Sequence, residues 1–177
     1  MDILLLDFDG VINTYDITRR DVDCVMIGHQ STMDLYTEGM AHNVERLCQR
    51  YDLSIVISSS WREYYTLNEL ESMLRYMGIT ARLIGITPID RFDHGYRDRQ
   101  LDDINAVSYD RGMQISHWIS TEGVAIGVDR YVVLDDNIYA QYGHETCFIH
   151  CDRDIGFDDH TYEASLLICD RVFGIDK

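Results

Sequence analysis

Lysine is almost missing from this chain: Lys177 stands alone against 14 arginines. Any cation that works in an interior site must therefore be an arginine, unless a histidine serves. Pro88 is the only proline, and no internal repeat, low-complexity tract or linker divides the sequence. No apolar run reaches the length of a membrane span. The short run near the start begins at Ile3, has no basic region before it and leads straight into acids, so it reads as a strand and not as a signal peptide. The five cysteines are odd in number and lack framework spacing, which fits thiols in a reducing cytoplasm. Bases are scarce overall, 15 against 31 acids, for a formal charge of −16. Such a surface repels a phosphate backbone and argues against extensive nucleic-acid binding. It leaves open a site that meets one phosphate through a metal ion.

What is present fits one domain: 177 residues, 46% of them hydrophobic, suffice for a core that stands without disulfides. The chain is organised around residues 3–12, Ile-Leu-Leu-Leu-Asp-Phe-Asp-Gly-Val-Ile. Four apolar residues in a row bounded by acids predict a strand buried on both faces. Period-two alternation turns Asp7 and Asp9 to one side and Phe8 to the other. Gly10 lets the backbone turn sharply just behind them.

Residues 13–38 are polar and poorly periodic, and their length suits a flap over a site or a small insertion. Tyr15, Arg19 or Arg20 in this stretch is expected to contact substrate. A helical period returns over 40–51, with Met40, Val44, Leu47, Cys48 and Tyr51 on one face. The strand 53–57 then stops at Ser58-Ser59-Ser60-Trp61-Arg62, where hydroxyls and backbone N–H groups can face a phosphate or simply cap a helix. Thr66 and Glu69 form a capping-box pair, and Leu67, Leu70, Met73, Leu74 and Met77 make a core stripe ended by Gly78. A strand over 81–86 is broken at Thr87-Pro88. Residues 90–110 are dense in Asp, Arg and Tyr without a period and read as a solvated loop carrying Arg91, Arg97 and Arg99. Asp110 is then expected to cap a helix starting at Arg111-Gly112, with Ile115, Trp118 and Ile119 toward the core and His117 an ordinary helix residue beside them. The strand 131–134 ends in Asp135-Asp136-Asn137. A last strand near Glu145 to Cys151 precedes a helix capped by Asp158 or Asp159, with Tyr162, Leu166, Cys169 and Phe173 on one face. Alternating strands and helices predict a single α/β domain over 1–177, a Rossmann-like three-layer α/β/α arrangement around a central parallel sheet.

Parallel strands bring their carboxyl ends to one edge, where open α/β sheets hold ligands. Asp7 with Asp9, Ser58, Arg111, and Asp135 with Asp136 can converge there although they lie far apart in sequence. Gathered carboxylates raise one another's pKa. A divalent cation relieves that repulsion, and an all-oxygen set suits Mg²⁺. Two other clusters carry less. On a strand, Cys147 and Cys151 face one side and His150 the other, so with His144 they make a poor zinc site. Asp152, Asp154, Gly156 and Asp158 miss the EF-hand spacing and lack a closing glutamate, which leaves a solvated loop.

The order of DFDGV, a strand ending in serine, an arginine, and a strand ending in Asp-Asp resembles the haloacid dehalogenase (HAD) superfamily. More narrowly, SIVISSSWRE, IGITP, RGMQISHWI and YVVLDDN resemble the small HAD-type phosphatase domains of RNA-repair and phage proteins, over nearly the whole chain. The resemblance implies that Asp7 is a nucleophile forming an aspartyl-phosphate and that Asp9 is the general acid and base. It implies Mg²⁺ held by Asp7, Asp135, Asp136 and the backbone carbonyl of Asp9. Ser58, with Ser59 as the alternative and Gly10 beside them, would bind the phosphoryl group. Arg111 fills the basic position where the family often has lysine, with Arg62 or a loop arginine as the alternative.

The expected activity is a cytoplasmic, Mg²⁺-dependent phosphomonoester phosphatase without a large cap domain. Its substrate would be a nucleotide or nucleic-acid end, although the acidic surface suits a small phosphorylated metabolite equally. Two rivals use the same fold: a non-catalytic phosphate- or partner-binding domain, and a phosphotransferase working through the same intermediate.

Overall fold

In a computed structural model of the chain, residues 1–14, 21–27, 30–89 and 103–174 are described. The stretch Tyr15, Arg19 and Arg20, and likewise Arg91, Arg97 and Arg99, lie outside the described residues.

The apolar run at the start forms β1 (Asp2–Leu6), and Ile3 to Leu6 are fully buried because both faces are covered. It is the central strand of a five-stranded sheet. On one side lie β4 (Ser54–Ile57) and then β5 (Leu83–Ile86); on the other lie β6 (Arg130–Asp135) and then β7 (Phe148–His150). Every pairing in this sheet is parallel. Consecutive parallel strands need crossovers, and the helices supply them.

Alternation along β1 divides the core in two. Leu4 and Leu6 pack with Ala41, Val44 and Leu47 of α1 (Glu38–Tyr51), with Leu70, Met73 and Leu74 of α2 (Leu67–Tyr76), and with Tyr162, Cys169 and Phe173 at the C-terminal end of the chain. Tyr162 and Cys169 belong to α5 (Asp159–Cys169), which Asp158 caps by accepting a hydrogen bond from the Thr161 N–H. Ile3 and Leu5 pack on the other face with Ile115 and Trp118 of α3 (Asp103–Trp118). The helix α3 passes through a wide turn at Ile119–Gly123 into the short α4 (Val124–Ile126). The result is the three-layer α/β/α arrangement expected from the alternation of elements.

Residues 13–38, the stretch whose length suits a flap or small insertion, contain an antiparallel hairpin, β2 (Asp21–Ile27) with β3 (Gln30–Tyr36). Its register shifts between Asp21 and Val25 and again between Val25 and Ile27, irregularities that blur a strict two-residue period. Asp110 does not cap a helix: α3 begins eight residues before Arg111, so Asp110 lies in its interior and residues 103–110 are helix, not loop. Gly112, which suggested a helix start, sits mid-helix because another segment comes close there. A Cβ on it would lie 2.9 Å from the Tyr142 carbonyl and 3.2 Å from that of Tyr139. Within α2, Leu70, Met73 and Leu74 are buried as the stripe predicts, but Leu67 in the first turn is exposed.

The capping box at α2 is complete. The Thr66 hydroxyl accepts from the Glu69 N–H at 3.4 Å, and the Glu69 carboxylate accepts from the Thr66 N–H at 2.8 Å. Thr66→Ala removes one side of that exchange and should cost about 1 kcal/mol in urea unfolding. A change below a few tenths of that size would show that tertiary packing alone holds the helix end.

Candidate active site

The site is built by three strands that end level. Leu6 pairs with both Ile57 and Leu134. One residue further, the Asp7 N–H donates to the Leu134 carbonyl at 3.0 Å and the Ser58 N–H to the Leu6 carbonyl at 2.9 Å. Asp7, Ser58 and Asp135 therefore stand side by side at the carboxyl edge. They follow Leu5, Val56 and Val133 by two residues, and those three belong to the core on the α3 face. Strand parity turns all three polar side chains toward α3.

There α3 provides Arg111. Its Nη1 lies 2.9 Å from Asp7 Oδ2 and 3.0 Å from Asp135 Oδ2. Both carboxylates are almost fully buried, and Asp135 also accepts from the Asn137 N–H at 2.8 Å through its second oxygen. Burial pulls the Arg111 pKa down, but the charges of Asp7 and Asp135 more than reverse this, so its net direction is upward. Asp135 moves well above the usual carboxylate range. Burial is the main cause and the Asp7 charge adds to it, while Arg111 opposes both. Arg111 is thus the basic residue at the carboxylates. Arg62, the alternative, is elsewhere: its guanidinium donates to the carbonyls of Ser58 and Ser59, both at 2.5 Å, to that of Thr87 at 3.0 Å, and to the Gln114 side chain at 2.6 Å. It ties the serine loop to the end of β5 and to α3.

Asp136 joins the group from the next position. Asp7, Asp135 and Asp136 each offer an oxygen such that all three lie within 4.8 Å of one another. Arg153 reaches Asp136 Oδ2 with Nε at 3.3 Å and Nη2 at 3.2 Å. Burial and the Asp7 charge still raise the Asp136 pKa against that partner. The turn carrying Gly10 passes directly over this residue. With φ at +75°, a Cβ on Gly10 would lie 2.5 Å from Asp136 Cγ, so only glycine fits. The Gly10 N–H itself donates to the Asn13 carbonyl at 2.7 Å, closing the turn.

Four buried side-chain oxygens among the described residues have no hydrogen-bond partner: Asp7 Oδ1 and Ser58 Oγ at the strand edge, Asn13 Oδ1 in the turn after Asp9, and Thr87 Oγ1 just past β5. A buried, unpaired carboxylate oxygen is costly and in native proteins commonly faces a ligand. Ser59, by contrast, accepts from the Trp61 N–H at 3.4 Å, capping the short helix Ser60–Glu63. Of the two serines, Ser58 is the one whose hydroxyl oxygen has no partner. Three convergent carboxylates, one with an orphaned oxygen, form an all-oxygen donor set that fits a hard divalent cation.

Asp9 sits one turn away, with Oδ1 accepting from Asn13 Nδ2 and Oδ2 from Trp61 Nε1, each at 3.0 Å. Burial and the Asp7 charge raise its pKa, and these two hydrogen bonds oppose the rise. Neither Asn13 nor Trp61 stood out in the sequence. The signal was an indole next to the serine run, and only folding brings it to Asp9.

The other clusters are spoken for differently. His144 uses both ring nitrogens: Nδ1 lies 2.9 Å from the Tyr131 hydroxyl, and Nε2 lies 3.1 Å from the Gly112 carbonyl, to which it must donate. His150 Nε2 lies 3.0 Å from the Asp136 carbonyl. Asp152 accepts from the Asp154 N–H at 2.9 Å in a local turn. His117 is exposed on α3.

A central parallel sheet with paired aspartates after β1 and again after β6 is the arrangement expected of a HAD-type domain. The match to a family model bears this out. Residues 3–162 fit the HAD domain in Swiss Army Knife RNA repair proteins, and the chain belongs to that family. The comparisons with curated proteins and with solved structures gave no match.

Gly10→Ala should push Asp136 out of the carboxylate group and weaken divalent-cation binding about tenfold or more. The readout is the rise in Tm on adding Mg²⁺, and an undiminished rise would remove Asp136 from the cation site. Arg62→Met removes the guanidinium from the carbonyls of Ser58, Ser59, Thr87 and Pro88 and from the Gln114 side chain, at a cost of roughly 3 kcal/mol in denaturant unfolding. A loss under about 1 kcal/mol would mean that water replaces the guanidinium at no great cost.

Proposed function

We propose that this chain is a Mg²⁺-dependent phosphomonoester phosphatase working through an aspartyl-phosphate on Asp7. The observation that carries the reading is the orphaned Asp7 Oδ1, buried at the strand edge beside Asp135, Asp136 and the free Ser58 hydroxyl. The carboxylates of Asp7, Asp135 and Asp136, with the Asp9 backbone carbonyl, would hold the cation. Bound there, Mg²⁺ supplies charge neutralisation for the carboxylates and the phosphate oxygens.

The chain's own residues divide the remaining work. Arg111 holds Asp7 by Oδ2, fixing its direction and offsetting its charge as a phosphate dianion approaches. Asp7 attacks phosphorus while the bond to the ester oxygen breaks, and Asp9 gives its proton to that departing oxygen. Asp9 then takes a proton from water, whose oxygen attacks phosphorus and breaks the bond to Asp7, releasing inorganic phosphate. Ser58 donates to the phosphoryl group, from a loop held in place by Arg62.

For substrate we favour a nucleotide or the phosphorylated end of a nucleic acid, in keeping with the repair-protein context of the family. The formal charge of −16 disfavours a long bound polymer, so the phosphorylated terminus would carry the recognition. Residues 1–177 would act as one unit without a large cap. A cytoplasmic setting is supported by the buried free thiols of Cys48, Cys147, Cys151 and Cys169. No helix among the described residues is long and apolar enough to cross a membrane.

Phosphate release by the native protein and by Asp7→Asn, with Mg²⁺ and with chelator, tests the reading. The panel comprises an aryl phosphate, 5′- and 3′-mononucleotides, and oligonucleotides phosphorylated at either end. The expected outcome is metal-dependent turnover that falls at least a thousandfold (roughly) in Asp7→Asn. A folded, Mg²⁺-binding protein without turnover on the whole panel would favour a binding module or a transferase that needs an acceptor.

A further inference from the structure

We infer that Trp61 is a positioning residue for proton transfer by Asp9, its indole N–H holding one carboxylate oxygen so that the other edge of the group is aimed at the departing ester oxygen. The inference rests on the role of Asp9 in the reading above and adds a residue to it. Asp9 lies in a turn in which the N–H groups of Val11, Ile12 and Asn13 all converge on the Phe8 carbonyl, at 2.9 to 3.1 Å. That turn fixes the backbone but leaves the Asp9 side chain two rotatable bonds. Asn13, from the same turn, restrains Oδ1 and moves with it. Trp61 is the restraint from outside: it lies 52 residues away in sequence and meets Oδ2 at 3.0 Å.

An indole has one polar atom, a donor, and a rigid ring that carries it. Here the ring is fixed from two sides, edge-on to Phe8 at 5.0 Å between centroids and tilted against Tyr65 at 5.9 Å. Phe8, between the two aspartates, thus supports the tryptophan that supports Asp9. The same short helix anchors the neighbouring residue as well, since Arg62 is buried among carbonyls of the serine loop. A donor carried on so constrained an element holds a carboxylate in one orientation at little entropic cost. The indole and the Asn13 amide N–H both donate, one to each oxygen, so Asp9 is held here with a hydrogen bond to each of them; a proton taken up by Asp9 requires the amide to yield Oδ1 while the rigid indole keeps Oδ2.

The test compares the native protein, Trp61→Phe and Asp9→Asn, with Mg²⁺, across phosphate monoesters whose leaving groups run from a nitrophenol to a nucleoside 5′-hydroxyl. A nitrophenolate departs without a proton, whereas an alkoxide needs one. In Trp61→Phe, kcat/KM for the nucleotide should fall about tenfold and that for the nitrophenyl ester much less, steepening the dependence on leaving-group pKa in the same sense as Asp9→Asn. An equal fall for every ester would mean a merely structural role and overturn the inference. So would native behaviour of Trp61→Phe alongside a steepened Asp9→Asn, and that outcome would leave the phosphatase reading intact. An Asp9→Asn line parallel to the native one, or no turnover by the native protein, would bring down the reading and the inference together. A second measurement needs no turnover. Of the two indole N–H resonances in the ¹H–¹⁵N spectrum, the one lost in Trp61→Phe should shift in Asp9→Asn while that of Trp118 stays in place. An unmoved Trp61 resonance would refute the hydrogen bond itself.

Discussion

One guanidinium between two buried carboxylates holds this site together. Asp7 and Asp135 stand side by side across the β1–β6 edge, nearly shut off from solvent, where a buried carboxylate is costly without a partner. Arg111 meets both through a single nitrogen, joining α3 to the carboxyl edge of the sheet. The balance is incomplete: three carboxylates converge, Asp7 keeps an unpaired oxygen, and Asp135 and Asp136 are both harder to ionise than ordinary aspartates. A bound divalent cation would complete it, in the same place where a phosphate ester would be attacked.

Around that group the backbone is shaped by close approaches more than by flexibility. Gly10 is needed because the turn passes over Asp136, and Gly112 because α3 meets the carbonyls of Tyr139 and Tyr142. The latter contact seats α3, and with it Arg111. Arg62 does the same for the serine loop. A buried arginine is retained there because its planar fork satisfies several carbonyls at once, which no apolar residue can do. With one lysine in the chain, both interior cation positions fall to arginine.

Local chemistry made some elements readable in advance. The four-residue apolar run of β1, the capping box of α2 and the stripe Leu70-Met73-Leu74 each carry their own signal within a few residues. The β2–β3 hairpin carries none, since its register shifts break the period. The first half of α3 misled for a related reason. Its residues mix Ile104, Ala106 and Val107 with polar ones without a clear period, and the Asp110-Arg111-Gly112 run imitates a helix start, whereas the glycine answers to a neighbour 30 residues further along.

By itself the sequence determined which groups would reach the carboxyl edge. Strand ends are set by hydrophobic runs, and a parallel sheet aligns those ends, so Asp7, Ser58 and Asp135 follow from local pattern and topology. Only the tertiary structure decided how the groups are partnered. That Arg111 rather than Arg62 meets the carboxylates, that Ser58 rather than Ser59 keeps an unpartnered hydroxyl oxygen, and that Trp61 reaches Asp9 all depend on helix rotation and loop path. Those are fixed by packing between residues tens of positions apart, and no local spacing encodes such contacts.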